Sequence, residues 1–199
     1  DRNLYTTIRI GNQVWMGENL KTTSYNDGTT IPLVTDNTAW SNLSTPGYCW
    51  YNNDAATYKA TYGALYNWYA VGEGNLCPTG WHEATHDDYK TLEMHLGLTQ
   101  AEADAFGWRG TNQGSQLKNT SGWNSGGNGT NTSGFSALPS GLRYIGTGAF
   151  IYFGDIGYYW TGTESSTTDA YYRRLDFDNS AIWSQAVQKI AGKAVRCVK

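Results

Sequence analysis

The last third of the chain narrows the fold most. Six β-prone runs (135–144, 149–153, 158–164, 170–177, 181–187 and 193–198) follow one another with turn signals between them, among them Gly146-Thr147-Gly148, Asp178-Asn179-Ser180 and Ala191-Gly192. Short runs joined by such turns predict an antiparallel sheet. Two more β-prone runs open the chain within residues 4–20. Ile8 and Ile10 alternate in the first, and Val14 and Met16 in the second, with Trp15 on the opposite face. Gly11-Asn12 between them is a hairpin signal. Residues 21–47 are turn-rich, broken by Asp27-Gly28 and Pro46-Gly47, and the aromatic run 48–51 reads as buried. In 62–71, Leu65, Trp68 and Tyr69 fall at i, i+3 and i+4, which favours a short helix.

The clearest helix signal is 85–97. Thr85 is a cap, Asp87 and Asp88 complement the helix dipole, and Tyr89, Leu92 and Leu96 share a face before the stop at Gly97. A second helix starts at once, with Thr99 and Glu102 as a capping-box pair and Ala101, Ala103 and Ala105 as good formers. Residues 107–134 are Gly, Asn, Ser and Thr with the single aromatics Trp108 and Trp123, a long loop of the kind that is usually functional or mobile. There is no internal repeat and no linker. The expectation is one α+β domain over 1–199, with two short helices packed on a twisted antiparallel sheet among long irregular loops. Residues 1–76 form an N-terminal hairpin and loop extension, and 77–199 the core.

Composition sets the functional class. Charged residues are 16% of the chain, the net charge is −3, and aromatics reach 15%. Low charge with many rings argues against disorder. No basic cluster exists to hold nucleic acid, and no run of about 18 apolar residues exists to cross a membrane. A surface kept wet by Thr, Asn and Gly, with Tyr and Trp as core or contact face, suits a secreted or cell-surface domain. No signal peptide opens the chain, and a start at Asp1 suits a processed, mature form.

The three cysteines, Cys49, Cys77 and Cys197, form no CxxC pair and no zinc spacing. In an oxidising compartment two of them pair; in the cytosol all three are buried thiols. The composition favours one disulfide. Cys77 with Cys197 is the first choice, because it ties the middle of the chain to the last strand. A loop of that size stabilises by about 4–5 kcal/mol in the chain-entropy account.

Several strings then resemble a known family: Ile10-Gly11-Asn12-Gln13-Val14-Trp15-Met16 with Glu18-Asn19-Leu20, Tyr62-Gly63-Ala64-Leu65-Tyr66-Asn67-Trp68, Cys77-Pro78-Thr79-Gly80-Trp81-His82, Ser133-Gly134-Phe135-Ser136-Ala137-Leu138-Pro139, Tyr159-Trp160-Thr161 and Ala194-Val195-Arg196-Cys197-Val198. In this order, across nearly the whole chain, they resemble the Fibrobacter succinogenes major paralogous domain, found on exported bacterial proteins. A more distant likeness, carried by two helices, a Gly-rich loop region and a closing sheet ending in Arg-Cys-Val, is to the C-type-lectin-like fold shared by relatives of the formylglycine-generating enzyme. It implies a compact α+β domain whose irregular loops carry a ligand site. The sequence departs from both models. It has no Glu-Pro-Asn, Gln-Pro-Asp or Trp-Asn-Asp string for a calcium-bridged sugar, and no counterpart of the enzyme's reactive cysteine pair.

Five groups of residues carry possible chemistry. His82-Glu83-Ala84-Thr85-His86 spells the H-E-x-x-H zinc motif, which needs both imidazoles on one helix face. Thr85 as a helix cap leaves His82 outside the helix, so coincidence is the preferred reading. Asp176 and Asp178 share a strand face and offer hard oxygens to calcium, although the calcium-loop signature is absent. Tyr158, Tyr159, Trp160, Tyr171, Tyr172 and Trp183 enrich the closing sheet with rings. Alternation sends each adjacent pair to opposite faces, so some lie outside the core. Arg173 and Arg174 also diverge, and one is expected to pair with Glu164 or Asp176. Trp123, Asn124 and Asn128 form a recognition tip in the Gly-rich loop, or a mobile or glycosylated one, since Asn119, Asn128 and Asn131 begin acceptor triplets.

The resulting expectation is a binding domain without catalysis and without cofactor, calcium being the one candidate ion. It recognises a glycan or a protein surface through loops 107–134 and 145–158 and the aromatic strands, with Trp123, Asn124, Asn128, Tyr158, Trp160, Glu164, Tyr172 and Arg173 as contact residues. The alternatives are a subunit that assembles with other copies of itself into a surface layer or filament, and a zinc hydrolase using His82, Glu83 and His86. Neither nucleic acid nor membrane insertion is expected.

Overall fold

The structure is a computed structural model in which residues 3–199 are described. It is mixed α+β, built on three sheets. The first sheet has the order β1 (Thr7–Ile10), β2 (Gln13–Met16), β12 (Cys197–Val198), β5 (His82–Glu83), all antiparallel, so the two ends of the chain lie side by side. The β1–β2 hairpin turns at Gly11, whose φ of 58° needs no Cβ, as the Gly-Asn signal anticipated.

The second and largest sheet runs β6 (Gly107–Arg109), β11 (Ile182–Gln188), β10 (Asp169–Asp176), β9 (Ile156–Glu164), β7 (Ser140–Arg143), β8 (Phe150–Phe153). It is antiparallel except where β7 meets β9 at Gly141 and Gly157. A third, two-stranded sheet pairs β3 (Tyr48–Cys49) with β4 (Leu65–Tyr66).

Six α-helices accompany the sheets among the described residues: α1 (Asn37–Ser41), α2 (Ala55–Tyr62), α3 (Trp68–Val71), α4 (His86–His95), α5 (Gln100–Asp104) and α6 (Gln113–Leu117). The capping signals hold. Thr85 and Asp88 cap α4 reciprocally, as Thr99 and Glu102 cap α5. Besides α4 and α5, and α3 within the run 62–71 read as a short helix, the structure adds α1, α2 and α6, which are brief and lack an apolar stripe to betray them. α2 buries no residue at all and is started by the Asp54 side chain, which accepts from Thr57 N–H. The run 62–71 proves to be strand and then helix, Asn67 being the N-cap between them.

The Gly-rich stretch 107–134 is also corrected. β6 adds it to the large sheet, α6 buries Leu117, and Trp123 is buried with its indole N–H donating to Ala137 O. The last run, expected over 193–198, shortens to β12, while Lys193 and Ala194 make single bridges to Tyr66 and Tyr159.

Buried cations hold the irregular segments in place of regular ladders. Arg196 donates to the carbonyls of Met16, Phe135 and Ser136 and to Asn19 Oδ1. Arg143 donates to the carbonyls of Val34, Thr35 and Gly148 and to Asn37 Oδ1. Lys118 donates to the carbonyls of Asp176 and Asn179. A carbonyl buried in a loop without such a donor would be a costly unpaired polar group. A disulfide joins Cys77 to Cys197, while Cys49 is a free, buried thiol. Burial pushes the Cys49 thiol up to about 12.

A candidate binding face on the large sheet

Strand alternation divides the side chains of the large sheet into two faces. The first carries Tyr159, Leu175 and Ile182, which pack with Trp15, Tyr89 and Leu92 into the core beneath α4. It also carries Arg173. Together with Arg109, that residue meets a single carboxylate, Glu93 on α4, at 2.6 and 2.9 Å. All three side chains are fully enclosed. Arg173 Nη1 also donates to His86 Nδ1 at 3.0 Å, which fixes the imidazole as the Nε2–H tautomer because a guanidinium cannot accept. Burial, then the positive charge of Arg173, lowers the His86 pKa to about 3.

The opposite face is made of rings. In register across four strands stand Trp108 (β6), Trp183 (β11), Arg174 (β10) and Tyr158 (β9). The two indoles meet edge to face at 5.4 Å. The Arg174 guanidinium lies 5.6 Å from the Trp108 ring and 5.9 Å from those of Trp183 and Tyr158. Asp176, two residues on and therefore on the same face, accepts from Arg174 Nε at 2.6 Å and also binds Nη2. This fork-to-carboxylate pair holds the guanidinium flat among the rings.

The neighbouring row is Gln185, Tyr172 and Trp160. Trp183 Nε1 donates to the Tyr172 hydroxyl at 3.1 Å, which locks the two rows together. Behind them Lys193 Nζ sits 4.6 to 4.9 Å from the rings of Tyr172, Trp160 and Tyr158. Burial, with Arg174 adding repulsion, lowers its pKa to about 7.

Exposure falls from one side to the other. Trp108 is 39% exposed and Trp183, Arg174 and Tyr172 are half-buried, whereas Tyr158 and Trp160 are buried. Tyr152 on β8 extends the face, 48% exposed, its ring 6.4 Å from Tyr158. Its φ of 64° is an unusual setting for a bulky residue. Such strain persists only where the surroundings impose it, and it gathers at functional sites.

The expected contact residues scatter. Tyr158, Trp160 and Tyr172 do share the ring face, although Trp160 is sealed in, its indole N–H donating to Tyr66 O at 2.9 Å. Arg173 is on the wrong face, committed to Glu93. Trp123 is core and not a loop tip. Asn124 and Asn128 are exposed, but Asn124 Nδ2 donates to Asp155 and Asn128 Oδ1 accepts from Trp123 N–H, so both serve the loop itself. Glu164 pairs with Lys189 at 2.9 Å.

Of the two calcium candidates, Asp176 is buried against Arg174 and Asp178 stands exposed, and among the described residues no group of three or more His, Cys, Asp or Glu is placed to hold a metal. The H-E-x-x-H string is broken as its cap implied. His82 lies in β5, paired with Val198 and bonded to Asp88 at 2.9 Å, while His86 begins α4. Glu83 is turned to Cys77 N–H at 2.8 Å. Sequence reasoning missed Trp108, Arg174 and Lys193 as members of the face. Arg174 was legible from its alternation with Tyr172, but Trp108 was hidden in a stretch read as loop.

Comparison with known families gives one match, the Fibrobacter succinogenes major domain, over residues 8–199. The chain belongs to that family. No curated protein and no solved structure matches it. In this member of the Fibrobacter succinogenes major domain family, the strings that carry the likeness are structural. Asn67 bonds Gly47 N–H, Ala70 N–H and Thr45 O; Ser133 Oγ donates to Gln116 O; Arg196 and Cys197 close the core. The outer ring face (Trp108, Trp183, Arg174, Tyr172) lies outside every one of those strings.

Proposed function

We propose that the chain is a non-catalytic, secreted or cell-surface binding module, its scaffold arranged like the C-type-lectin-like fold, and that it holds a glycan on the ring face of the large sheet. The observation that carries this reading is the in-register row Trp108–Trp183–Arg174–Tyr158, open to solvent at Trp108 and half-buried at Trp183 and Arg174. A sugar ring offers C–H faces to aromatic planes and hydroxyls to charged hydrogen-bonding groups. Indoles beside a carboxylate-held guanidinium supply both. The disulfide supports an extracytoplasmic setting, since such bonds persist in oxidising compartments. No helix among the described residues is long and apolar enough to cross a membrane.

The test is a glycan array followed by titration of any hit. Trp108→Ala and Trp183→Ala should each weaken binding about tenfold or more, equivalent to about 1.4 kcal/mol, with unfolding midpoints near that of the unaltered protein. Retention of full affinity by both variants would refute the reading.

Assembly with other copies is the second reading. It is favoured by the exposed rings of Phe106, Tyr144 and Tyr152, which a neighbouring copy would cover. Sedimentation velocity over a hundredfold concentration range separates the two: a species that stays monomeric and binds glycan supports the first, and ligand-free association lost on Tyr152→Ser supports the second.

A further inference from the structure

A cleft of about 320 Å³ opens beside the disulfide, away from the residues of the ring face, and sits at the lower end of the range for small-molecule sites, about 300–1,000 Å³. Its wall includes Tyr5, Thr22, Tyr25, Asn26, Leu76 and Thr79, and among the described residues none that lines it carries a charge. The wall is built before any ligand arrives. Asn26 Nδ2 donates to Cys77 O at 3.0 Å and its N–H to Asn75 O at 2.9 Å. The turn 25–29 is closed by Tyr25 N–H to Thr29 O, and Tyr66 donates its hydroxyl to Thr22 O at 2.6 Å.

One group in this wall is unspent. Tyr25 is only 8% exposed, and its hydroxyl is buried with no hydrogen-bond partner among the described residues. An unmade bond of this kind costs about 1–3 kcal/mol, which a ligand group that reached this hydroxyl would recover.

The geometry points to a second binding site here, for a neutral ring bearing hydroxyl groups, of the size and polarity of a pyranose. Uncharged amide and hydroxyl groups give such a ring its hydrogen bonds, and Tyr5, Leu76 and Pro78 give its C–H face an apolar support. Among the described lining residues none carries a charge to hold an anion or a cation, which favours a neutral ring.

The experiment is an amide NMR titration of the intact chain with cellobiose, lactose and N,N′-diacetylchitobiose as neutral probes, and glucuronate and glucosamine as charged ones. A neutral probe should shift the amides of Asn26 and Thr79. Thr79→Trp, which fills the exposed mouth, should abolish those shifts, and Trp108→Ala should leave them intact. Tyr25→Phe should weaken the same probe several-fold without lowering the unfolding midpoint, because the lost hydroxyl holds no other group. Shifts confined to residues around Trp108 and Trp183, stronger shifts from a charged probe, or no shift from any neutral probe would each overturn the assignment. The first of these would leave the ring face standing, and failure of the ring-face variants would leave the cleft standing.

Discussion

Three side chains show how single residues set the behaviour of this chain. His86 accepts a hydrogen bond from Arg173 at Nδ1, so a proton placed there would set two donors against each other. The unfolded chain takes up that proton near pH 6.5 and the folded one only near 3. Between those values the unfolded state binds more protons, so stability falls as pH falls, by at most about 1.4 kcal/mol per unit. His86→Gln keeps an acceptor for Arg173 and should flatten that slope in denaturant titrations at pH 6.5, 5.5 and 4.5; an unchanged slope would place the proton elsewhere. Tyr152 is the second case. Tyr152→Gly should relieve the backbone at φ 64° and stabilise by about 1 kcal/mol, while weakening any ligand of the ring face. A variant that loses stability would show that the ring's packing outweighs the strain. Lys193 is the third, an amine boxed by three rings, whose low pKa leaves it only partly charged at neutral pH.

At the scale of elements, what the sequence revealed depended on how far the signal was local. α4 and α5 were legible because a cap is a four-residue event: Thr85 with Asp88, Thr99 with Glu102. β8, β9, β10 and β11 were legible because turn residues bracket them. α2 was not, since it buries nothing and leaves no apolar period to read. β6 was not, since three residues become a strand only because β11 lies alongside. The same limit governed the site. Alternation told which of Tyr171 and Tyr172, or of Arg173 and Arg174, faces which way relative to its neighbour, but not which face is covered by α4. The covering is settled by Glu93, whose carboxylate takes Arg173 and Arg109 inside. Glu93→Gln would leave two enclosed guanidinium groups against one neutral amide and should cost about 3–5 kcal/mol, read as a lowered urea midpoint. A cost below 1 kcal/mol would mean that the cluster opens to water.

For the whole molecule, the arrangement is economical in regular structure. Buried Arg143, Arg196 and Lys118 and one disulfide fasten long loops that strands and helices do not. The strings that identify the family include Arg196, the Met16, Asn19, Phe135 and Ser136 groups it binds, and both disulfide cysteines, whereas Arg143 and Lys118 lie outside them. Cys77→Ala with Cys197→Ala frees a closure of 120 residues and should cost about 2–5 kcal/mol in thermal or urea unfolding; no loss would mean that Arg196 and the pairing of β12 with β2 and β5 hold the closing strand without it. The ring face meets this fastening only at Asp176, whose carbonyl takes Lys118 while its carboxylate holds Arg174, and the functional reading rests on that face. The chain carries nine tryptophans, each with an indole N–H visible by nitrogen-15 NMR. Titration with the glycan selected on an array should move the Trp108 and Trp183 indole signals and leave those of the enclosed Trp15 and Trp123 in place. Movement of neither Trp108 nor Trp183 under saturating glycan would contradict the account.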